Sequence, residues 1–575
     1  MTGENIKYPV TFLFLVIGFL FCFHSNLFAA DVSSDQSVGA GAERFKSGVE
    51  RAEEQLEKKA KPLPLEISPK EERPVLPSAT FPLKEVTITG TTIFQPADFV
   101  PIYRGYIDKE ISTKDLDAIV KGIVYEYEKK GFLTTNAYIP PQDIKDGRVE
   151  IRVVEGKMGN LKIEGNKWFS VGLIKKFFHS KKNQILNINE LQRDALRLNS
   201  NPDLEVKTIV SAGETRGTSD ITLQVKDKFP WHLGFSEDNQ GTLLTGKFRT
   251  SFMLRCSNLT GNADTLFLDT LFSNGSFGQS ANYSIPIGTN GTKLYFDYTF
   301  FKMKLGKEFS VNDITGRTDI YTPRMSWELA LTEDYQANFN LGLDIKSIIQ
   351  KQQGQRYADD QLRLPWFGFD FSKLDSTGQT GFSPKFIFGT SGFLGASSRN
   401  HPSASRAGTG GSFFKYSQYL NRTQKMFLGS YLSFRSQFQA ASHTLPSSEQ
   451  IQLGGAYSIR GYPEGNYLAD MGGFLATDWV FPNYLIPKDW KLANQKTPLR
   501  YQVQPVIFFD LGGGKLKKVL PGEKLESFLA GAGGGFLVNF TGISVRLGWA
   551  EHFGGSEPVS GAGPSTFYLT FNAEI

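Results

Sequence analysis

Beyond residue 230 the sequence abandons helical spacing. It alternates apolar with polar side chains in short segments, punctuated by Gly, Asn, Ser and Pro clusters, as far as Ile575. Residues 293–301, 337–343, 425–434, 502–508 and 543–549 are examples. In the final segment Phe567, Leu569, Phe571, Ala573 and Ile575 form one face, and Tyr568, Thr570, Asn572 and Glu574 the other. Such alternation belongs to strands whose two faces meet different surroundings. Inside a bilayer every backbone amide must find a partner within the protein, so only helices or a closed barrel can cross it. After residue 30 no apolar run approaches the roughly 20 residues of a spanning helix. The pattern therefore predicts a transmembrane all-β barrel over 230–575, apolar face to lipid and polar face to the lumen. Spans of about 9–11 residues plus connections give sixteen antiparallel strands, and fourteen or eighteen fit nearly as well. A soluble propeller or sandwich is the alternative, but no blade-like repeat recurs.

A mean hydropathy of −0.26 with 21 % charged residues excludes a helical-bundle membrane protein. A barrel escapes that objection, because only alternate residues meet lipid. Aromatics at 13 % and 58 glycines suit its girdles and close strand packing. A net charge of +5 is small for 575 residues and argues against nucleic acid as a partner.

Ahead of the barrel the chain changes character several times. Residues 1–30 carry Lys7, an apolar run over 10–23 and Phe28-Ala29-Ala30 before Asp31, the layout of a secretory signal peptide. An uncleaved anchor is the alternative; Phe21 before Cys22 argues against a lipid anchor. Residues 41–60 predict a charged helix on which Phe45, Val49, Ala52 and Leu56 make one narrow stripe. It is either a solvated helix or one that rests as a plug inside a water-filled pore. Prolines 62, 64, 69, 74 and 77 make 61–80 a stiff linker reaching up to about 60 Å.

Two copies of one unit follow. Val86 to Gly90, then Phe94, matches Leu161 to Gly165, then Phe169. The offset persists at Ser112 with Asp115 and at Asn187 with Glu190, two capping-box arrangements. Leu116, Ile119, Val120, Ile123 and Tyr127 give the first helix its apolar face. Strands are expected over 134–139 and 148–154, and again over 204–210 and 220–225. Each unit is a small α+β domain, a mixed sheet covered on one face by helices, at 81–156 and 157–229.

Signals of catalysis are missing from the sequence. Histidines 24, 179, 232, 401, 443 and 552 are scattered, and no nucleophile elbow or phosphate loop occurs. With Cys22 in the signal, Cys256 alone remains, too few for a disulfide or a cysteine-based metal site. No catalytic residue, cofactor or metal is expected. The glycine run 531–535 is read as room for close approach of strands or of an inward loop.

Two motifs then carry a resemblance. Tyr138-Ile-Pro140-Pro141-Gln142-Asp143-Ile-Lys-Asp-Gly147, followed by Val149-Glu-Ile-Arg-Val-Val-Glu155-Gly156, resembles the signature of transporters of two-partner secretion, exporters of haemolysins and filamentous adhesins. In that family it marks the first of two POTRA (polypeptide-transport-associated) domains and its junction with the second. Gly454-Gly455-Ala-Tyr-Ser-Ile459-Arg460-Gly461-Tyr462-Pro-Glu464 resembles the VRGY/F motif of the wider superfamily of barrel insertases and transporters. There it sits at the tip of a loop folded into the pore. Phe508-Phe-Asp510-Leu-Gly512 matches its companion on the barrel wall. The resemblance implies that Arg460 pairs with Asp510 in the lumen, and that Pro140, Pro141, Gln142, Asp143, Glu155 and Gly156 belong to a partner-binding region. Two departures stand out: Asp478 where a glutamate is expected, and a terminal Ile575 where phenylalanine is common.

The implied function is an outer-membrane transporter of a Gram-negative bacterium, with its paired domains in the periplasm. It would pass a large, unfolded partner protein through its pore without ATP. Other expected partners are outer-membrane lipid and the barrel assembly machinery. The alternative is an insertase of the same superfamily; a passive porin or a surface adhesin fits the paired soluble domains less well.

Overall fold

The computed structural model describes residues 38–57, 66–67, 80–144, 146–492, 495–554 and 565–575. The expected signal at 1–30, residues 58–60 and most of the proline-rich stretch lie outside them. Two compact units result, one holding the helix and the barrel, the other the paired domains.

In the first domain the strand Glu85–Thr89 pairs in parallel with Arg148–Val154, and Asn136–Tyr138 adds antiparallel on its far side. The helix Thr113–Lys129 covers the sheet. It starts where Ser112 and Asp115 complete a reciprocal capping box. It buries Leu116, Ile119, Val120, Ile123, Val124 and Tyr127 against Val149, Ile151 and Val153, the set that helical and strand spacing select.

The second domain repeats the order. Lys157–Glu164 is parallel to Thr218–Asp227, which pairs antiparallel with Leu204–Ala212. Its helix begins at Ile188, but Asn187 accepts from Asn189 N–H, and this is a simple N-cap, not a second capping box. The linker also departs from expectation. Glu66–Ile67 pairs in parallel with Ile209 and Val210, the outer edge of this sheet, and Lys207 bonds Glu66. Part of the proline-rich stretch is thus an edge strand.

The barrel is closed by sixteen antiparallel strands, from Trp231–Asp238 to Ser565–Glu574. These two close it through the pairs Gly234↔Glu574 to Asp238↔Thr570. Along the last strand Phe567 is exposed while Tyr568 is buried toward the lumen, as the alternation requires. One expected segment is wrong. Residues 425–434 do not run as one strand; Phe414–Lys425 and Tyr431–Ala441 form a hairpin whose turn puts Leu428 (φ 56°) and Gly429 (φ 74°) in the left-handed region. That turn interrupts an alternation which continues by chance of composition.

The helix Val38–Glu57 lies inside the barrel. Phe45 meets the face of Gly278, Gly41 the ring of Phe301, and Val38 the wall at Gly316. It begins three residues before the expected start.

Candidate functional site

Between the strands Tyr431–Ala441 and Met471–Val480 the chain folds back into the lumen over 442–470. A short ribbon, Ile451–Leu453 with Tyr467–Ala469, stiffens this loop. Ile459 and Tyr462 pack with Phe474, Ala476 and Leu529 of the wall. The loop is therefore held first by apolar contact, which seats its charged tip.

At that tip Arg460 is 2 % exposed. Its Nε and Nη2 donate to the two oxygens of Asp510 at 2.6 Å each, its backbone N–H donates to the same carboxylate at 3.0 Å, and Nη1 donates to Asp478 at 2.5 Å. The guanidinium lies 3.8 Å from the centre of the Phe508 ring. Arg546 donates to both oxygens of Asp478 at 3.0 Å. Two arginines thus face two carboxylates, and the fork geometry fixes orientation as well as charge. A buried cation without such partners would cost several kcal/mol, on the order of 3–5.

The rest of the motif supplies space and backbone bonds. Gly461 has φ 97°, and a Cβ there would lie 2.8 Å from backbone atoms of Glu551 and His552. Its N–H donates to the Tyr568 hydroxyl at 2.9 Å. A Cβ on Gly531 would lie 1.9 Å from the Arg460 carbonyl, so the first glycine of the 531–535 run lets the loop seat against the wall. A Cβ on Gly512 would meet Ile459 at 2.8 Å. Glu464 accepts from Ala456 N–H within the loop and does not join the arginine cluster.

A second network holds the helix. Lys346 of the wall donates to Glu43 of the helix at 2.7 Å and to Glu449 of the inward loop at 2.6 Å, and Lys415 shares Glu449. Lys46 bonds Thr322 at 3.1 Å and stands 3.7 Å from Asp344. Arg44 donates to Gln452, which donates back to the Ala40 carbonyl. Helix, loop and wall therefore meet through Lys346 and Glu449. A third cluster ties the outer connections. Arg406 donates to Glu523 at 2.9 and 3.0 Å and to Asp470 at 3.4 Å, and Asp470 also accepts from Leu445 and Lys517 N–H.

Sequence reasoning singled out Arg460 and Asp510 but not Arg546, Tyr568, Lys346, Glu449 or Arg406. Asp478 was noted only as a departure from pattern, yet it completes the arginine cage. Charged residues on lumen-facing strand positions were the available signal. The helix gave none, because Glu43 and Lys46 read as part of a solvated face.

The other motif builds the first domain. Pro140 and Pro141 lack the N–H groups that would continue the ladder beyond Tyr138. Gln142 replaces them: its amide donates to the Glu150 carbonyl at 2.7 Å and accepts from Glu150 N–H at 2.8 Å. Glu155 accepts from the N–H groups of Thr92 (2.7 Å) and Ile93 (2.9 Å), from the Thr92 hydroxyl and from the Tyr127 hydroxyl (2.7 Å). Burial pushes its carboxyl up, but the bonds from Thr92, Ile93 and Tyr127 outweigh this and hold it below the ordinary range. Burial and Glu155 raise the Tyr127 hydroxyl. Gly156 passes close to Thr134, where a Cβ would stand 2.3 Å from its hydroxyl. Gln142 and Glu155 are spent on internal bonds, whereas Pro141 and Asp143 lie at the surface.

A sixteen-strand barrel with an inward arginine loop, a helix in its lumen and two POTRA-like domains defines a class of outer-membrane transport protein. The profile described as haemolysin secretion/activation protein ShlB/FhaC/HecB matches residues 217–538, and the ShlB-type POTRA domain matches 81–156. The heme/hemopexin transporter protein HuxB of Haemophilus influenzae is 25 % identical, over 76 % of this chain and 77 % of its own length. The outer membrane transporter CdiB of Dickeya dadantii is 22 % identical, over 71 % of this chain and 73 % of its own. CdiB from Escherichia coli shares the fold, with a TM-score of 0.74 at 19 % identity over 96 % of this chain and 100 % of that one. The chain belongs to the haemolysin secretion/activation protein family. Its work is accordingly that of a two-partner secretion transporter in the outer membrane, with the POTRA domains in the periplasm.

Proposed function

We propose that this transporter exports one large exoprotein as an unfolded chain through the lumen now filled by the helix 38–57 and the loop 442–470. The observation that carries the reading is the way both obstructions are held. Beyond a few apolar contacts at Ile459, Tyr462 and Phe45, each rests on paired charges that can be exchanged for water, and Lys346 and Glu449 tie one to the other. Arg460, with Asp510 and Asp478, sets one state of the loop. Departure of the helix removes Glu43 from Lys346 and weakens the loop's footing.

Capture comes first, by addition of extended partner segments to POTRA sheet edges. The edge at Ile209–Val210 already accepts a strand, residues 66–67 of the chain's own linker. An incoming segment competes with that strand and frees the linker that leads to the helix. Pro141 and Asp143 are surface candidates for partner contact, with Pro140, Gln142, Glu155 and Gly156 shaping the ground beneath them. The chain performs no catalysis and uses no cofactor; folding of the partner outside prevents its return. The barrel itself is inserted by the assembly machinery.

Deletion of the gene, followed by mass spectrometry of surface and released proteins, tests this directly. Loss of a single large protein supports dedicated export. A broad fall in many barrel proteins, or no change in any released protein, contradicts it.

A further inference from the structure

The chain enters the first barrel strand from the periplasmic domains, so connections after even-numbered strands lie at the periplasmic rim. Most of these are tight, as at 332–334, 376–377 and 541–542, which is usual for such barrels. The connection after the twelfth strand, Met471–Val480, is different: it runs over 481–502 before Val503–Lys515 begins.

Its described residues are folded. Asn483 N–H donates to the Arg500 carbonyl at 2.8 Å, and Leu499 N–H donates to the Trp490 carbonyl at 2.7 Å. Arg500 is buried, 5.2 Å from the Tyr484 ring. This frame displays apolar side chains outward: Leu485 is 94 % exposed and Trp490 62 %. The neighbouring turn after the tenth strand does the same with Phe427 and Leu428. The Tyr484 hydroxyl donates to the Leu428 carbonyl at 2.6 Å and joins the two connections.

Continuity says what covers this surface. Asp478 points into the lumen, so Trp479 points to lipid. Its ring meets Phe427 at 5.7 Å and Phe481 at 4.8 Å. The exposed patch therefore extends the lipid-facing aromatic girdle of the barrel. Lys488, Lys491 and Lys496 accompany it, against Asp489 as the acid among them. Tryptophan, tyrosine and leucine interleaved with lysine is the composition that seats at a membrane interface, with apolar bodies in the acyl boundary and ammonium groups among anionic headgroups.

We propose that residues 481–492, with the turn 426–430, form a phospholipid-binding anchor on the anionic periplasmic leaflet. The anchor pins the wall sector carrying Asp478 and Asp510, so the arginine loop works against a fixed side of the barrel.

The test uses the full chain in vesicles of phosphatidylethanolamine with phosphatidylglycerol, labelled with bimane at Leu485→Cys. The label is expected to be quenched several-fold more by lipids carrying a nitroxide near the headgroup than by aqueous iodide. Replacing phosphatidylglycerol with phosphatidylcholine, or introducing Lys488→Ser with Lys491→Ser, is expected to reduce that quenching at least two-fold. Equal quenching in both lipid mixtures overturns the anionic-headgroup anchor. Quenching by iodide alone, or shielding only when an unfolded polypeptide is added, overturns lipid as the occupant.

Discussion

The first POTRA domain and the barrel lumen bury their interiors by different means. Between the helix Thr113–Lys129 and its sheet the contact is apolar, with Ile119, Ile123 and Ile151 almost wholly hidden. In the lumen a small apolar cluster around Ile459 and Tyr462 is joined by buried charges, Arg460, Asp510, Lys346, Glu449 and Asp344. A close-packed apolar core resists partial opening, because any gap forfeits contacts. A network of ion pairs has nearly balanced terms: each pair repays the desolvation of its members and little more. The domain is thus built to hold one shape. The proposed export needs a lumen that exists in more than one.

The largest effect is expected where a lumen pair is halved. Asp510→Ala leaves Arg460 buried without its bidentate partner, at a cost of about 3–5 kcal/mol to the seated loop. Single-channel recordings of the reconstituted protein should show a larger, noisier conductance, and export should fall. Asp510→Asn keeps the shape but not the charge and should lie between. A variant that conducts and exports as wild type would remove the lumen side of the contrast.

Next in size is the apolar side. Ile151→Ala should destabilise the first domain by about 2–5 kcal/mol, read from the urea midpoint of a fluorophore in that domain of the full chain, while conductance stays unchanged. A conductance change would mean that the two regions are not independent in stability.

The smallest effect is a pH dependence at a buried carboxylate of that domain that accepts from several donors. Glu155 has its pKa depressed on folding. Its contribution is therefore complete above the unfolded value, about 4.3, and is lost as pH falls through the folded value. Between pH 7 and pH 3 the wild-type domain should lose stability that Glu155→Gln does not lose, by less than about 2 kcal/mol, the ceiling that an unfolded pKa of about 4.3 allows. Equal acid sensitivity in both would assign the effect to other groups.

These regions also differ in how legible they were. The domain cores follow from spacing alone, since Leu116, Ile119, Ile123 and Tyr127 mark one helix face and Val149, Ile151 and Val153 one strand face. The barrel is legible as a class for the same reason, yet the turn at 426–430 hid within a run that kept alternating. Arg460 and Asp510 emerged from motif resemblance. Their cage did not, because Asp478 and Arg546 come together only when strands far apart in sequence curve around one lumen. The helix was the least legible element. Its buried Lys46 and half-buried Glu43 look solvent-facing until the opposing charges, Asp344 and Lys346, are supplied by distant strands. The strand at 66–67 was masked by its prolines.

In the proposed export route the partner passes through the space the helix occupies. A Cβ on Gly316 would stand 2.4 Å from that of Val38, so a modest shift brings Val38→Cys and Gly316→Cys to disulfide distance, about 3.8 Å between Cβ atoms. Secretion of the partner should be measured with this pair oxidised and again after mild reduction. Export is expected to stop while the bond is closed and to return when it opens. Export at full rate with the helix covalently fixed to the wall would contradict it.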